Sequence, residues 1–217
     1  MTAIFLDLDG TLMDSQRGID SSLRHAFRGA GYHELAESDL KWMLGPPFLD
    51  SFAKLGITET AGILTAYRDV YTAGGMYDAA VYDGIFPMLD GLRDAGHRLF
   101  LMTAKPHSYA RQITAHFELA PYFEAEYGPE TDGTRGHKAD LLAHALNETG
   151  IDPDLALMVG DRAHDIEAAT ANRMTSVAVR WGYGNAAEWA DAHHLVQHPT
   201  EVVTLAASLL QTERTTP

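Results

Sequence analysis

The stretch that decides the fold is Ile4-Phe5-Leu6-Asp7-Leu8-Asp9-Gly10-Thr11-Leu12, an apolar run that ends in two aspartates separated by one residue. Side chains alternate along a strand, so Asp7 and Asp9 are expected on the same side where the strand ends. Neighbouring carboxylates repel each other when ionised, and a fold keeps them together where a cation, a shared proton or a reaction compensates. The stretch therefore predicts a buried strand that ends at a reactive site.

Three later stretches end in polar residues of the types that suit phosphate and metal chemistry. One apolar run ends in Thr103, and Lys138 stands at the start of a helical pattern. A further apolar run breaks into Asp161 and Asp165, which are four residues apart. Because ligands collect at the carboxyl ends of the strands in an open α/β sheet, we expect these side chains to lie near the first two aspartates.

Taken in order, the four stretches resemble the motifs of the haloacid dehalogenase-like hydrolases, in the phosphatase branch of that superfamily. The resemblance covers almost the whole chain. Residues 44–47, 104–106 and 180–184 are most similar to those of small phosphoglycolate phosphatase or 5'-nucleotidase-like members with a helical cap. The resemblance implies a Rossmann-like α/β core with an inserted all-helical cap domain.

The apolar pattern along the chain predicts the same architecture. Alternating strand and helix signals are typical of a doubly wound parallel sheet. The gap of about 90 residues between the first two strands is too long for one crossover and contains helical patterns of its own. We therefore expect residues 15–81 to form the cap, and residues 1–14 and 82–217 to form the α/β core. The predicted strands are 3–8, 98–103, 155–160, 176–179 and a weaker one at 194–197.

Helix-capping and helix-stopping residues predict three helices inside the cap and one directly after it. A bend at Gly45-Pro46-Pro47 separates the second cap helix from the third. The predicted limits of the four helices are residues 20–31, 38–45, 58–74 and 87–96.

Composition narrows the classes of function. The 217 residues contain no cysteine, which excludes disulfides, thiol nucleophiles and thiolate zinc sites. The formal charge of −14 would repel nucleic acid phosphates, so we expect no nucleic acid polymer as a partner. No stretch approaches the roughly 20 apolar residues of a membrane helix, and Met1 leads directly into the first strand. These features predict a cytoplasmic protein. The resemblance implies that the substrate is a small phosphorylated metabolite, and the expected oligomeric state is a monomer or homodimer.

Asp7 is the predicted nucleophile. Attack of its carboxylate on phosphorus would give an aspartyl-phosphate and divide a slow hydrolysis into two steps. The resemblance assigns Asp9 the protonation of the leaving oxygen and then the activation of the attacking water. Hard oxygen ligands favour Mg²⁺, with Asp7 and Asp161 as the expected side-chain ligands. By resemblance, the carbonyl of Asp9 completes the metal site, and Asp165 acts behind it or through water.

Thr103 and Lys138 have roles that the resemblance supplies. Thr103 would hydrogen-bond a phosphoryl oxygen, together with backbone N–H groups at the start of the following helix. Lys138 would neutralise charge on the nucleophile and on the phosphoryl group. Ala104 and Lys105 follow Thr103 in the predicted substrate-binding loop, and Lys105 is expected to add positive charge there.

The cap is expected to choose the alcohol part of the substrate, because the core recognises phosphate alone. Lys41, Gly45, Pro46 and Phe48 lie near the turn that faces the active site in this family. A Gly-Pro-Pro bend is stiff and can approach a ligand closely. Phosphoglycolate, a nucleotide 5'-monophosphate and a general metabolite phosphate remain open as substrates. His164, inside the fourth motif, is expected at the surface.

Four other functions use a similar set of residues. A phosphonate hydrolase would need a cap lysine to form a Schiff base, and Lys41 and Lys54 keep that alternative open. A dehalogenase has no need of a second aspartate as an acid, so Asp9 argues against that activity. A phosphomutase shares every core motif and stays open as an alternative. A receiver-like phosphoacceptor also combines carboxylates, a hydroxyl and a lysine at strand ends, whereas a helical insertion that covers the site is typical of an enzyme lid.

Overall fold

The computed structural model of the chain describes residues 3–130 and 133–213, with side chains described as far as residue 208. The first part of the chain contains the first strand, a helical insertion and the short hairpin that closes it. Two 3₁₀ turns, Lys41–Met43 and Gly75–Tyr77, lie inside the insertion. The other elements, in chain order, are β1 (Ala3–Leu6), β2 (Met13–Asp14), α1 (Gln16–Gly29), α2 (His33–Glu37), α3 (Phe48–Lys54), α4 (Ala61–Ala73) and β3 (Ala80–Val81).

Strands and helices alternate from α5 to β7, as is typical of a parallel α/β sheet, and β8 follows β7 without a helix between them. The elements are α5 (Ile85–Asp94), β4 (Arg98–Met102), α6 (His107–His116), β5 (Ala125–Tyr127), α7 (Lys138–Thr149), β6 (Ala156–Gly160), α8 (Ala163–Ala171), β7 (Thr175–Val179), β8 (His194–Val196) and α9 (Pro199–Glu213).

The described residues form a six-stranded sheet in the order β5-β4-β1-β6-β7-β8, and every neighbouring pair is parallel. All residues of β1 and β6 are buried, which explains why both strands are continuous apolar runs. Ala3 and Phe5 pack into one hydrophobic cluster, and Ile4 and Leu6 pack into the other. The predicted doubly wound parallel sheet is therefore confirmed.

The helical insertion is joined to the core by the β2–β3 hairpin. Met13 pairs with Val81 and Asp14 pairs with Ala80 in antiparallel register, so both ends of the insertion lie beside the carboxyl end of β1. Inside the insertion, α1 packs against α2 and α4. A helical insertion in an α/β core is confirmed, and the division of the chain at 15 and 81 stays a prediction.

The structure differs from the predicted elements at several places. β5 was not predicted, because three residues with Glu126 in the middle give no apolar pattern. The predicted helix from Ser38 is wrong, since Ser38 follows the last residue of α2. α3 was also missed: it starts directly after Pro47, whose φ of −55° suits a helix entry. α1 begins at Gln16, four residues before the predicted start.

Among the residues that the structure describes, no helix combines the length and apolar character needed to cross a membrane.

Candidate active site

Asp7 stands at the carboxyl end of β1, in the middle of the sheet. Its backbone N–H donates to the carbonyl of Val159 at 2.9 Å, so the strand pairing of β1 with β6 holds the residue in place. The chain then turns at Gly10, whose φ of +82° lies in the left-handed region. A Cβ at this position would overlap the carboxylate of Asp161, so a glycine allows the turn to approach that side chain.

Lys138 joins two buried carboxylates. It is the first residue of α7, and its Nζ lies 2.7 Å from Oδ1 of Asp7 and 2.5 Å from Oδ1 of Asp165. The residues are 5%, 2% and 1% exposed, respectively, so water screens these contacts little. The structure therefore brings three of the predicted site residues, from three different sequence stretches, into one hydrogen-bonded group.

Asp161 follows β6 and is fully buried. Its Oδ2 accepts a hydrogen bond from the backbone N–H of Tyr183 at 2.7 Å, and its Oδ1 accepts one from the hydroxyl of Thr11 at 3.3 Å. The indole N–H of Trp189 donates to its carbonyl at 2.7 Å. The sequence did not single out these partners individually. Together they orient the Asp161 carboxylate beside the turn at Gly10.

The site carries more buried negative charge than one lysine balances. Burial raises the pKa of Asp7 to about 6, an effect that Lys138 opposes and the Asp165 charge increases. Burial also raises the pKa of Asp161 well above its usual value, and the charges of Asp165 and Asp7 add to that effect. Both pKa values shift toward the neutral carboxyl form because the ionised forms lack compensating positive charge.

A divalent cation would supply that missing charge, and the residues present fit Mg²⁺. The donors are carboxylate and carbonyl oxygens, the ligands that Mg²⁺ prefers. Gly182 leaves room at the Asp161 carboxylate, since a Cβ there would lie 2.5 Å from its Oδ2. The ligand set of Asp7, Asp161 and the Asp9 carbonyl, with Asp165 behind it, stays a prediction.

A different group of ligand-type side chains lies closest together among the described residues. Ligand atoms of Asp7, His164 and Asp165 all lie within 4.8 Å of one another. The Lys138 ammonium contacts Oδ1 of both aspartates, so a metal ion between them would meet a like charge. For that reason we do not assign the metal to this group.

The side chain of Asp9 has two partners of its own. Its Oδ1 accepts a 2.5 Å hydrogen bond from the hydroxyl of Ser15, and its Oδ2 lies 3.0 Å from Nζ of Lys105. The same ammonium donates to the hydroxyl of Tyr71 at 2.6 Å and lies 4.9 Å from the centre of its ring. Lys105 is buried, and Tyr71, which the sequence did not reveal, connects it to helix α4 of the insertion.

Thr103 is buried at the end of β4, at the same edge of the sheet. Its N–H donates to the carbonyl of Tyr127 at 3.0 Å, and its hydroxyl oxygen accepts from the N–H of Lys105 at 3.1 Å. The residue therefore shapes the loop that leads to α6, together with the half-buried Ala104. Its contact with a phosphoryl oxygen stays a prediction.

The insertion meets the core at Gly45. A Cβ at this position would lie 3.0 Å from Cγ of Arg162 and 3.3 Å from Cε1 of His164, and its φ is +98°. The guanidinium of Arg162 donates to the carbonyl of Leu44 and forms a 2.8 Å ion pair with Glu188. The sequence did not identify Arg162 as a contact between core and insertion.

Two predicted positions differ in their surroundings. Lys41 is exposed, and its Nζ lies 6.0 Å from the centre of the Tyr183 ring instead of at the cavity wall. The expected surface position of His164 is wrong, since its Nε2 is buried and lies 3.8 Å from Oδ1 of Asp165. Burial, with the Lys138 charge, lowers the pKa of His164 to about 3, so the ring is neutral at pH 7.

A cavity of about 580 Å³ lies between the insertion and the sheet edge. Asp9, Ala104 and Lys105 line it from the core, and Gly45 and Pro46 line it from the insertion. The size is within the range of about 300 to 1,000 Å³ that is usual for small-molecule sites. The structure thus places several predicted site residues around one substrate-sized space.

The chain belongs to the haloacid dehalogenase-like hydrolase family, whose model matches residues 4–179. The tyrosine-protein kinase PtkA of Mycobacterium tuberculosis is 43% identical over 208 residues, which cover 95% of this chain and 69% of that protein. A 5'-nucleotidase of Pseudomonas aeruginosa is 38% identical over 185 residues, which cover 84% of each chain. Phosphoglycolate phosphatases are among the further relatives.

The crystal structure of a predicted phosphatase from Clostridium acetobutylicum superposes with a TM-score of 0.89 at 32% identity, covering 95% of this chain and 98% of that one. The predicted family, its phosphoglycolate phosphatase and 5'-nucleotidase-like branch, and the phosphatase class of hydrolase are thereby confirmed.

The raised pKa of Asp7 predicts how the stability of the metal-free protein depends on pH. The folded protein keeps a proton on Asp7 up to about pH 6, whereas an unfolded chain releases it near pH 3.8. This contribution to the free energy of unfolding, on the order of 3 kcal/mol, is complete at low pH and is lost as the pH rises from the unfolded pKa to the folded one. Thermal unfolding in EDTA should show the loss, and Asp7→Asn, in which residue 7 cannot titrate, should show a smaller one, because the pKa of Asp161 is also raised by burial.

Mg²⁺ should raise the unfolding temperature more at about pH 7.5 than at about pH 5, because protons compete with the ion for the same carboxylates. The matched control is Asp94→Asn, which changes an exposed aspartate of α5 and should behave as the natural chain does. An equal effect of Mg²⁺ at both pH values would contradict this account of the buried charge.

Proposed function

We propose that the protein is a Mg²⁺-dependent phosphatase that hydrolyses a small phosphate monoester through a phosphorylated Asp7. The observation that carries the proposal is the Asp7–Lys138–Asp165 group, buried beside Asp161 at the carboxyl end of the sheet. A carboxylate held by an ammonium in a site of low dielectric is positioned as a nucleophile. The similarity to a 5'-nucleotidase and to phosphoglycolate phosphatases supports the same chemistry.

The reaction proceeds in two steps. Lys138 contacts Oδ1 of Asp7, which leaves the second carboxylate oxygen to attack phosphorus. A bond forms between Asp7 and phosphorus, and the bond from phosphorus to the alcohol breaks. Asp9, in its neutral form instead of the ion pair with Lys105, gives its proton to the leaving oxygen. Asp9 then takes a proton from water, the water attacks the aspartyl-phosphate, and inorganic phosphate leaves with Asp7 regenerated.

Positive charge is needed because an anion attacks a dianion. Asp7, Asp161 and the Asp9 carbonyl would hold Mg²⁺, which when bound would neutralise charge on the phosphoryl oxygens as a Lewis acid. Lys138 neutralises charge on the nucleophile and the phosphoryl group. Thr103 and the N–H groups that follow it bind the remaining phosphoryl oxygens.

Residues 15–81 act as a cap in this proposal. They cover the site through α3 and α4, which contribute Phe48 and Tyr71 to the cavity. Closure of such a cap excludes water from the phosphoryl group until the alcohol has left. The substrate is a small phosphorylated metabolite, of the phosphoglycolate or nucleotide 5'-monophosphate type.

Asp7→Asn tests the nucleophile. The amide keeps the size of the side chain and removes its nucleophilic oxygen, so we expect Mg²⁺-dependent phosphate release to fall at least about a thousandfold. A phosphate-release assay over a metabolite panel, with EDTA and with added Mg²⁺, measures the effect. Asp94→Asn is the control and should keep full activity, while retained turnover in Asp7→Asn would disprove the assignment.

Tyr71→Phe tests the surroundings of Asp9. The change keeps the ring and removes the hydroxyl that accepts the Lys105 hydrogen bond, so Lys105 and Asp9 lose part of their positioning. We expect kcat/KM for an alkyl phosphate to fall about tenfold. The value for p-nitrophenyl phosphate, whose leaving group needs little protonation, should fall less than about twofold.

Tyr32→Phe is the matched control, because Tyr32 is an exposed tyrosine of the same insertion. Equal losses with both esters in Tyr71→Phe would show that the hydroxyl supports the fold and has no part in placing the acid.

The similarity to PtkA supports a second candidate reaction, phosphoryl transfer to a tyrosine hydroxyl. Both reactions move a phosphoryl group and differ in the acceptor, which is water for a phosphatase. Incubation with ATP, Mg²⁺ and a tyrosine peptide distinguishes them: phosphopeptide formation that requires Asp7 supports the kinase, and phosphate release from monoesters without peptide labelling supports the phosphatase. A phosphomutase would instead accumulate a sugar bisphosphate.

A further inference from the structure

The cavity above the proposed phosphate site has an aromatic wall. Phe48 of α3, Tyr67 and Tyr71 of α4, and Tyr109 of α6 all line it. The wall therefore combines rings from the insertion with a ring from the core. It begins directly beside Lys105, which contacts Asp9.

The rings form a continuous series. Phe48 meets Tyr67 edge to face with ring centres 4.8 Å apart, Tyr67 stacks on Tyr71 at 5.1 Å, and Tyr71 meets Tyr109 at 6.1 Å. Tyr67 and Tyr71 are buried, whereas Phe48 and Tyr109 at the two ends of the series are half-buried. The end rings thus keep surface available to a bound molecule, and aromatic surfaces favour stacking or edge contact with another flat ring.

The charges around the cavity disfavour a carboxylated alcohol such as glycolate. Lys105, the buried basic residue of the wall, is already shared between Asp9 and Tyr71. The other basic wall residues, Arg68 and His137, are exposed. Of the acids that line the same space, Asp9 is paired with Lys105 and Glu130 with Arg135, and Asp50 is exposed like Arg68. The described wall therefore offers a carboxylate no buried cation that lacks a partner.

We propose that the alcohol part of the substrate carries a flat, uncharged ring, and that Phe48 and Tyr109 are the residues that select it. Nucleoside 5'-monophosphates and aryl phosphates share this chemistry. The inference rests on the proposed phosphatase function and deepens it, since it separates ring-bearing esters from phosphoglycolate.

The test compares kcat/KM for adenosine 5'-monophosphate, phenyl phosphate, phosphoglycolate and glycerol phosphate. We expect kcat/KM for the ring-bearing esters to exceed the value for phosphoglycolate at least about tenfold. A higher value for adenosine 5'-monophosphate than for phenyl phosphate indicates a nucleoside as the alcohol, and the reverse order indicates an aryl alcohol. Phe48→Leu and Tyr109→Leu should each lower the values for ring-bearing esters about three- to tenfold, chiefly through KM, and leave glycerol phosphate unchanged. Tyr32→Leu, an exposed aromatic residue outside the cavity wall, is the control.

A preference for phosphoglycolate, or an equal loss for all four esters in both leucine variants, would overturn the inference. Binding of adenosine 5'-monophosphate and phosphoglycolate to Asp7→Asn, measured by calorimetry, gives a readout that needs no turnover. If no ester releases phosphate but this variant still binds the ring-bearing ester more tightly, and Phe48→Leu removes the difference, the phosphatase proposal fails while the ring site stands. Equal affinity of this variant for both esters would disprove the ring site, whether or not the protein is a phosphatase.

Discussion

The structure of the site depends on how the fold compensates buried carboxylates. Asp7, Asp161 and Asp165 are each at most 2% exposed, and Lys138 forms ion pairs with Asp7 and Asp165. Such a group is stable when each charge has a partner or keeps its proton, because burial penalises the ionised form. The start of α7 at Lys138 is therefore as important to the site as the strand ends, since it places the ammonium between Asp7, which follows β1, and Asp165 of α8.

The sheet and the motif residues were predictable because both depend on short-range patterns. A strand buried on both faces must be apolar throughout, as β1 and β6 are, and its end must be polar where the chain leaves the core. Asp7 and Asp161 are such ends, and parallel pairing of β1 with β6 brings them to one edge. The order of polar residues in the sequence was thus enough to expect Asp7, Lys138 and Asp165 in one place, where the structure has them in contact.

The contacts between insertion and core were not predictable in the same way. Tyr71 and Lys105 are 34 positions apart, and Leu44 and Arg162 are 118 apart, so neither pair leaves a periodic signal. Ser15 follows β2 directly, and its bond to Asp9 depends on the turn between them. His164 is likewise covered by the insertion at Gly45, where a Cβ would lie 3.3 Å from its Cε1. No local pattern of polar residues reveals this contact. Such contacts arise from how the helices of the insertion pack on the core.

These contacts divide the site into two sides that depend on the insertion through different residues. Near Asp9, the proposed acid, Lys105 forms an ion pair with Asp9 and donates a hydrogen bond to Tyr71 of α4. On the side of the expected metal, Arg162 follows Asp161 and donates to the carbonyl of Leu44.

Movement of the insertion away from the core would break only part of these contacts. Lys105 would lose its hydrogen bond to the neutral Tyr71 hydroxyl and keep its ion pair with Asp9. Arg162 would lose the carbonyl of Leu44 and keep its ion pair with Glu188. In each case the ion pair inside the core persists, and the contact that breaks is a hydrogen bond to a neutral group. Loss of such a hydrogen bond destabilises a protein less than loss of one partner of a buried ion pair. The charged groups of the core would therefore keep their ion-pair partners if the insertion opened, which the proposed role of residues 15–81 as a cap requires.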